Sequence, residues 1–257
     1  MCYTKTNGFT LIEIAVVLLI VGVVAGGVTT GKSLIRAAEL RGIIEEVEDF
    51  RSAMFSFEAK YRGKAGDLRN ATLFWGALNT NNTTCQSIAA TGMETCNGNG
   101  DGRILVHEGF RMWQHLSNAG LWAGHYSGVA GPEGVNDAVA GQNIPISAFD
   151  DTTYMMQYSD GFFLWFNTVK GNILFTGSTD TSGDNQPWRP YLTAQELSNM
   201  DIKIDDGHAV KGSIIGQKAF VGPNGGYGCT TSNDEATAEY NTNKEGKICA
   251  FYALLLN

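Results

Sequence analysis

Apolar and polar positions divide this chain of 257 residues sharply near its start. A short polar head, Met1 to Gly8, carries one charge, Lys5. The 20 residues from Phe9 to Val28 are apolar almost throughout, with Glu13 as their one charge. At about 1.5 Å rise per residue this run gives a helix of roughly 30 Å, enough to cross the hydrocarbon core of a bilayer. Beyond Val28 the pattern changes. Leu34, Leu40, Ile43, Ile44, Val47, Phe50, Met54, Phe57 and Tyr61 recur at three- and four-residue spacing. The opposite face pairs Arg41 with Glu45, Glu48 with Arg51 and Glu58 with Arg62. The spacing predicts one nearly continuous helix from Phe9 to about Tyr61, apolar all round in its first half and amphipathic in its second. Gly22, Gly26, Gly27, Gly31 and Gly42 are its weak points, and Arg62-Gly63-Lys64-Ala65-Gly66 suits its end.

The remaining pattern is shorter-ranged. Gly66 to Trp75 reads as a small capped helix or turn, and Thr80 to Thr95 as a polar loop. A helix is predicted from His107 to about Leu121, with Phe110, Trp113, Leu116 and Leu121 on its inner side. Gly124 to Asp151 is glycine-rich, with Pro132 and Pro145 as breakers. Strands follow: a weak one from Tyr154 to Tyr158 and a strong aromatic one from Gly161 to Val169. A turn at Lys170-Gly171-Asn172 leads into Ile173 to Thr176. The aromatic run reads as buried sheet, not as a ligand box. Thr193-Ala194-Gln195-Glu196 has the form of a capping box opening a helix to Met200. Val210 to Val221 and Lys247 to Leu256 complete the strands. The fold class is α+β: a long N-terminal helix packed on a C-terminal antiparallel sheet, with loop-rich insertions.

Glu13 carries the first chemistry. A carboxylate inside an apolar span is costly without a partner, so its presence points to function. A secretory signal peptide has a shorter apolar region followed by its cleavage site. Here the natural cut lies before the run, at Gly8, and leaves the anchor in place. Cutting there exposes a new α-amino group on Phe9, which could neutralise Glu13 within one chain or between staggered neighbours.

The hexapeptide Gly8-Phe9-Thr10-Leu11-Ile12-Glu13, eight residues from the start and followed by an apolar helix, resembles the processing site of type IV pilins and type II secretion pseudopilins. The resemblance implies a pilin-like fold, cleavage after Gly8 by a prepilin peptidase, and N-methylation of Phe9. It also implies assembly into a filament through the helix, with Glu13 and the Phe9 amine setting the register. The domains it implies are a leader, 1–8; a membrane and filament-core half-helix, 9–30; an amphipathic half-helix, 31–62; and a head, 63–257. Its partners would be copies of itself or other pilins, the peptidase, an inner-membrane assembly platform, and the lipid bilayer before assembly. The location implied is the bacterial inner membrane, then an extracellular pilus or a periplasmic pseudopilus.

Charge and cysteines narrow this further. The formal net charge is −8; without the leader, 17 basic residues face 26 acidic ones, a net of −9. That balance argues against a general nucleic-acid binder. Cys2 would leave with the leader, and Cys85, Cys96, Cys229 and Cys249 remain. An even set in an exported protein points to two disulfides, for which three pairings exist. Cys85–Cys96 and Cys229–Cys249 is the favoured pairing, since each closes a short loop rich in Gly, Asn and Thr.

A second motif runs from Asn97 to Glu108. Oxygen-bearing side chains fall at positions 1 (Asn97), 3 (Asn99) and 5 (Asp101) of a 12-residue frame, Gly102 at 6 and Glu108 at 12; the Arg103 carbonyl would serve position 7. This is the layout of an EF-hand-like calcium loop, with structural calcium as the one cofactor in view. The competing reading is a Gly/Asn turn closed by Cys85–Cys96, with Glu108 as a helix-start acid. Asp201, Asp205 and Asp206 form a further acidic cluster, read either as a second cation site or as a helix exit followed by a turn at Asp206-Gly207. His107, His115, His125 and His208 are scattered, and no nucleophile elbow or phosphate loop is present, so no catalytic residues are assigned. Three roles follow from the resemblance: first a pilus subunit for attachment or motility, then a secretion pseudopilin, then a DNA-uptake subunit.

Overall fold

The computed structural model describes residues 8–79, 81, 85–149, 152–161, 169–178, 187, 189–218, 228–232 and 234–254. In chain order these form α1 (Leu11–Tyr61), α2 (Thr72–Trp75), α3 (Val106–Asn118), β1 (Thr152–Asp160), β2 (Lys170–Ser178), α4 (Ala194–Ile204), β3 (Ile214–Lys218) and β4 (Cys249–Leu254). The chain divides into two compact units, Met1–Arg41 and Gly42–Asn257, with α1 running through the division.

In the first unit no described side chain is buried. The helix is unbroken through Gly22, Gly26, Gly27 and Gly31, and a methyl group added at any of them would meet nothing within 4 Å. Leu34, assigned by its spacing to the inner face, is 66% exposed and belongs to this bare part.

In the second unit α1 buries Ile43, Val47, Phe50, Met54 and Phe57 of the predicted three- and four-residue stripe, and Ala53 beside them, while Ile44 and Tyr61 of that stripe are half-buried. Gly42 is no weak point here. A Cβ on it would lie 2.0 Å from the Phe149 ring, so the residue is small because an aromatic side chain packs over it. Phe50 meets Trp113 of α3 at 4.9 Å between ring centroids, and Trp113 meets Trp122 at 5.4 Å. Phe57 stacks parallel to the His115 imidazole at 6.2 Å, with Trp75 5.2 Å from the same imidazole. Of the predicted surface pairs, Glu48–Arg51 forms at 2.6 Å, whereas Glu58 pairs with Lys64 at 3.5 Å.

Helix α3 lies at the centre of this unit. Every residue from Glu108 to Leu116 is buried, which places polar Arg111, Gln114 and His115 inside as well as the predicted Phe110, Trp113 and Leu116. The buried Arg111 guanidinium is satisfied by neutral oxygens: Gln114 Oε1 at 3.0 Å and the carbonyls of Cys85 and Ile88 at 3.3 Å. It thereby holds the loop that the Cys85–Cys96 disulfide closes. Both favoured disulfides are present, with Cα separations of 5.8 Å for Cys85–Cys96 and 4.9 Å for Cys229–Cys249.

The sheet is four-stranded and antiparallel in the order β1-β2-β4-β3. Thr152 to Met156 of β1 are all buried, so the strand lacks the in–out alternation that makes half-exposed strands conspicuous in a sequence. Lys170-Gly171-Asn172 is not the predicted turn. It opens β2, where Lys170 pairs with Asp160 at the start of a nine-residue register. The predicted aromatic strand at Gly161 to Val169 falls mostly outside the described residues. Thr193 and Glu196 form the predicted capping box, but α4 continues past Met200 to Ile204.

His115 is fully enclosed, and its hydrogen bonds select one tautomer. Nδ1 accepts the Gly66 N–H at 2.9 Å, which leaves the proton on Nε2, 2.8 Å from Thr95 Oγ1; Thr95 donates onward to Gln114 Oε1 at 2.8 Å. Burial, then the nearby Arg111 charge, pushes its pKa from the ordinary 6.5 down to about 3. The unfolded chain therefore binds more protons across this window. The stability His115 contributes is complete above 6.5 and is lost as pH falls, by up to about 1.4 kcal/mol per pH unit. Glu108 acts in the opposite sense. Burial raises its pKa from 4.5 to about 7, so its contribution is complete below 4.5 and is lost as pH rises to 7. Replacing His115 by Asn should remove the destabilising acid limb. Denaturation of the detergent-solubilised full chain from pH 7 to 4 should show the gap between wild type and variant closing towards low pH; a constant gap would contradict this.

Candidate functional site

Two regions carry the candidate chemistry, one in each unit. The first is the start of α1. Gly8 and Phe9 are exposed, so both flanks of the predicted scissile bond are open, and Phe9 shows 85% of its surface. Glu13 is not bare. Its Oε2 accepts the Thr10 N–H and the Thr10 hydroxyl, each at 2.8 Å, and the Glu13 N–H donates to Thr10 Oγ1 at 3.3 Å. Thr10-Leu11-Ile12-Glu13 is thus a capping box. Before cleavage Glu13 is held by its own helix start; hydrolysis after Gly8 would set the new Phe9 amine next to the Thr10 that Glu13 already grips. The Thr-x-x-Glu spacing that forms this box lies inside the Gly8–Glu13 hexapeptide itself.

Behind this cap the apolar side chains of α1 are left without cover. Leu11 is 89% exposed, and no residue of the most apolar 18-residue window is buried within the chain. By length and composition the helix can cross a membrane.

The second region is the Asn97–Glu108 loop. Asn99 Oδ1 accepts the Asp101 N–H at 2.8 Å and Asp101 Oδ1 accepts the Arg103 N–H at 2.8 Å, a pair of consecutive Asx turns. Gly102 has φ 86°, the left-handed conformation that the sixth position of the frame requires. Position 1 behaves differently. Asn97 turns away, and its Oδ1 accepts the Thr72 N–H at the start of α2 at 3.0 Å. The carboxylate that enters the loop belongs to Asp67: its Oδ1 accepts the Gly100 N–H, and its Oδ2 accepts the Gly102 N–H at 2.8 Å. Arg69 secures the same turn from outside, 2.7 Å from the Asn99 carbonyl. On the far side Asn172 accepts the Ile104 N–H at 2.8 Å and donates to the Gly102 carbonyl at 2.9 Å, pinning the loop to β2. Glu108 Oε2 accepts the Leu105 N–H at 3.0 Å, the helix-start role that the competing reading gave it.

The loop therefore gathers three carboxylates of mutual influence. Burial raises the Glu108 pKa to about 7, and the Asp67 and Asp101 charges add to the rise; burial also raises Asp67. Asp67 lies outside the motif by about thirty residues, and nothing in local spacing could have found it. The arrangement can order a turn by hydrogen bonding alone, or offer oxygens from Asp67, Asn99, Asp101 and Glu108 to a hard cation.

Replacing Asp67 by Ala would leave the Gly100 and Gly102 amides without their acceptor, at a cost of about 1–3 kcal/mol. Chemical denaturation should show that loss, with Asp67→Asn intermediate because one carbonyl oxygen remains. An unchanged midpoint for Asp67→Ala would mean that the carboxylate does not hold the loop.

Comparison with known proteins bears on the first region. Residues 3–29 match the family model of the prokaryotic N-terminal methylation motif. No curated protein and no solved structure matches the chain significantly. The match covers Gly8, Phe9, Glu13 and the bare apolar helix that follows them. On this evidence the chain carries the N-terminal methylation signature of the type IV pilins and pseudopilins.

Proposed function

We propose that this protein is a structural subunit of a type IV pilus, cleaved after Gly8, methylated on Phe9 and polymerised through α1. The observation that carries the reading is the uncovered apolar helix behind a capped Glu13 and an exposed Gly8–Phe9 bond. Such a surface is stable in a bilayer, and on leaving lipid it is stable only against other helices like itself. The preference for a pilus rests on the loop-rich head with two disulfide-closed loops, which suits continuous exposure outside the cell. The secretion pseudopilin is the second reading, favoured by the calcium-like turn geometry of Asn99, Asp101 and Gly102. Calcium held by that loop, with Asp67 in the place of Asn97, belongs to the same proposal and would serve to stiffen the head.

Electron microscopy of filaments sheared from cells, with mass spectrometry of the main band, tests the assignment. Long filaments composed of this chain are expected. A Glu13→Val variant should stay in the membrane fraction and yield few or no filaments. Long filaments of normal abundance in cells lacking the chain would overturn the expectation that this chain builds them.

A further inference from the structure

The exit of α4 carries an arrangement that the filament reading does not use. Asp201, Asp205 and Asp206 each present a carboxylate oxygen, and these atoms lie within 4.8 Å of one another. Among the described residues no Lys or Arg forms an ion pair with any of them. One oxygen of each is committed to a hydrogen bond. Asp201 Oδ2 accepts the Tyr240 hydroxyl at 2.9 Å, Asp205 Oδ2 accepts the Ser213 and Ile214 amides, and Asp206 Oδ1 accepts the His208 amide at 2.8 Å.

A separate observation singles this cluster out. Asp201 is fully enclosed, with 0% of its surface exposed, and its Oδ1 makes no hydrogen bond. Two other buried side-chain polar atoms, Trp113 Nε1 and Thr152 Oγ1, share that condition among the described residues. Asp201 Oδ1 alone is an anionic acceptor next to further carboxylates. An uncompensated carboxylate oxygen in the interior is strongly unfavourable, and two like charges beside it worsen the balance. Burial, with the Asp205 and Asp206 charges adding to it, raises the Asp201 pKa to about 6, against the lowering pull of the Tyr240 hydroxyl and the Gly207 amide. A proton on Oδ1 would relieve the charge but would itself need an acceptor. A divalent ion relieves all three carboxylates at once.

We infer that Asp201, Asp205 and Asp206 form a binding site for a hard divalent cation, with calcium as the ion that an all-oxygen donor set of this kind selects. The site joins elements that are distant in sequence. Through Asp205 it grips the entry to β3, and through Asp201 and Tyr240 it grips the segment between Cys229 and Cys249. The bound ion would fasten the disulfide-closed C-terminal loop to the end of α4. This inference is independent of the Asn97–Glu108 loop and of which filament the chain enters.

The experiment is equilibrium dialysis of the detergent-solubilised full chain against radioactive calcium, with four proteins in parallel. Wild type should bind calcium at millimolar concentration or tighter. Asp206→Asn, at an exposed position where the amide oxygen can still accept from His208, should lose one equivalent. Asp201→Asn, which retains an acceptor for Tyr240, should weaken that equivalent by about tenfold or more. Asp101→Asn should leave it unchanged, which separates the site from the other loop. Equal stoichiometry and affinity in wild type, Asp201→Asn and Asp206→Asn would overturn the inference. So would a wild-type chain that binds no calcium, since Asp201 would then hold a proton instead.

Discussion

Between Phe9 and Val28 the chain displays Leu, Ile and Val side chains that nothing in its own fold covers. Apolar surface in water costs about 25 cal/mol per Å². A helix of twenty such residues cannot remain bare, and its cover has to come from outside the fold. Lipid can supply it, and so can neighbouring helices of the same kind. The exchange between these two environments requires little net hydrophobic gain, because lipid tails and aliphatic side chains are similarly apolar. The discrimination has to come from packing and from the one charge present, Glu13. That residue is held by Thr10 in the uncleaved chain, so the helix start is already ordered before any amine is released.

The second unit solves a different problem. It folds around α3, a helix enclosed on all sides, and so it has to accommodate buried polar groups. It does so by saturating them. Arg111 is bound by carbonyls of the disulfide loop, and His115 is fixed in one tautomer between Gly66 and Thr95. Asp67 occupies the turn of the Asn97–Glu108 loop. These contacts tie loops with little regular structure to the core. Buried networks of this kind are strong when complete. The exceptions among the described residues are Trp113 Nε1, Thr152 Oγ1 and Asp201 Oδ1, of which only the last is anionic.

Much of this was legible from residue order because the signals are local. The long helix, its buried stripe at Ile43, Val47, Phe50, Met54 and Phe57, the capping box at Thr193 and both disulfides follow from spacing within a short window. What escaped depends on contacts between distant segments. Gly42 looks like a helix weakness until Phe149 is placed over it. Asn97 fits a ligand frame until Thr72 claims its oxygen, and Asp67 enters the loop from another part of the chain. The turn expected at Lys170-Gly171-Asn172 yielded to a strand register set by the buried residues of β1. Leu34 shares the helical period of the core but belongs to the first unit, where no described side chain is buried. Periodicity identifies a face; it does not say how far along the helix a partner extends.

In the proposed function the Gly8–Phe9 bond is a processing site whose cleavage turns an anchored chain into an assembly-competent one. Intact-mass and N-terminal peptide measurement of the chain from membranes, with and without the prepilin peptidase, tests it most directly. With the peptidase, the chain should begin at Phe9 and carry one added methyl group on its amine; without it, the chain should begin upstream of Gly8. A chain that retains residues 1–8 in the presence of active peptidase would contradict the account.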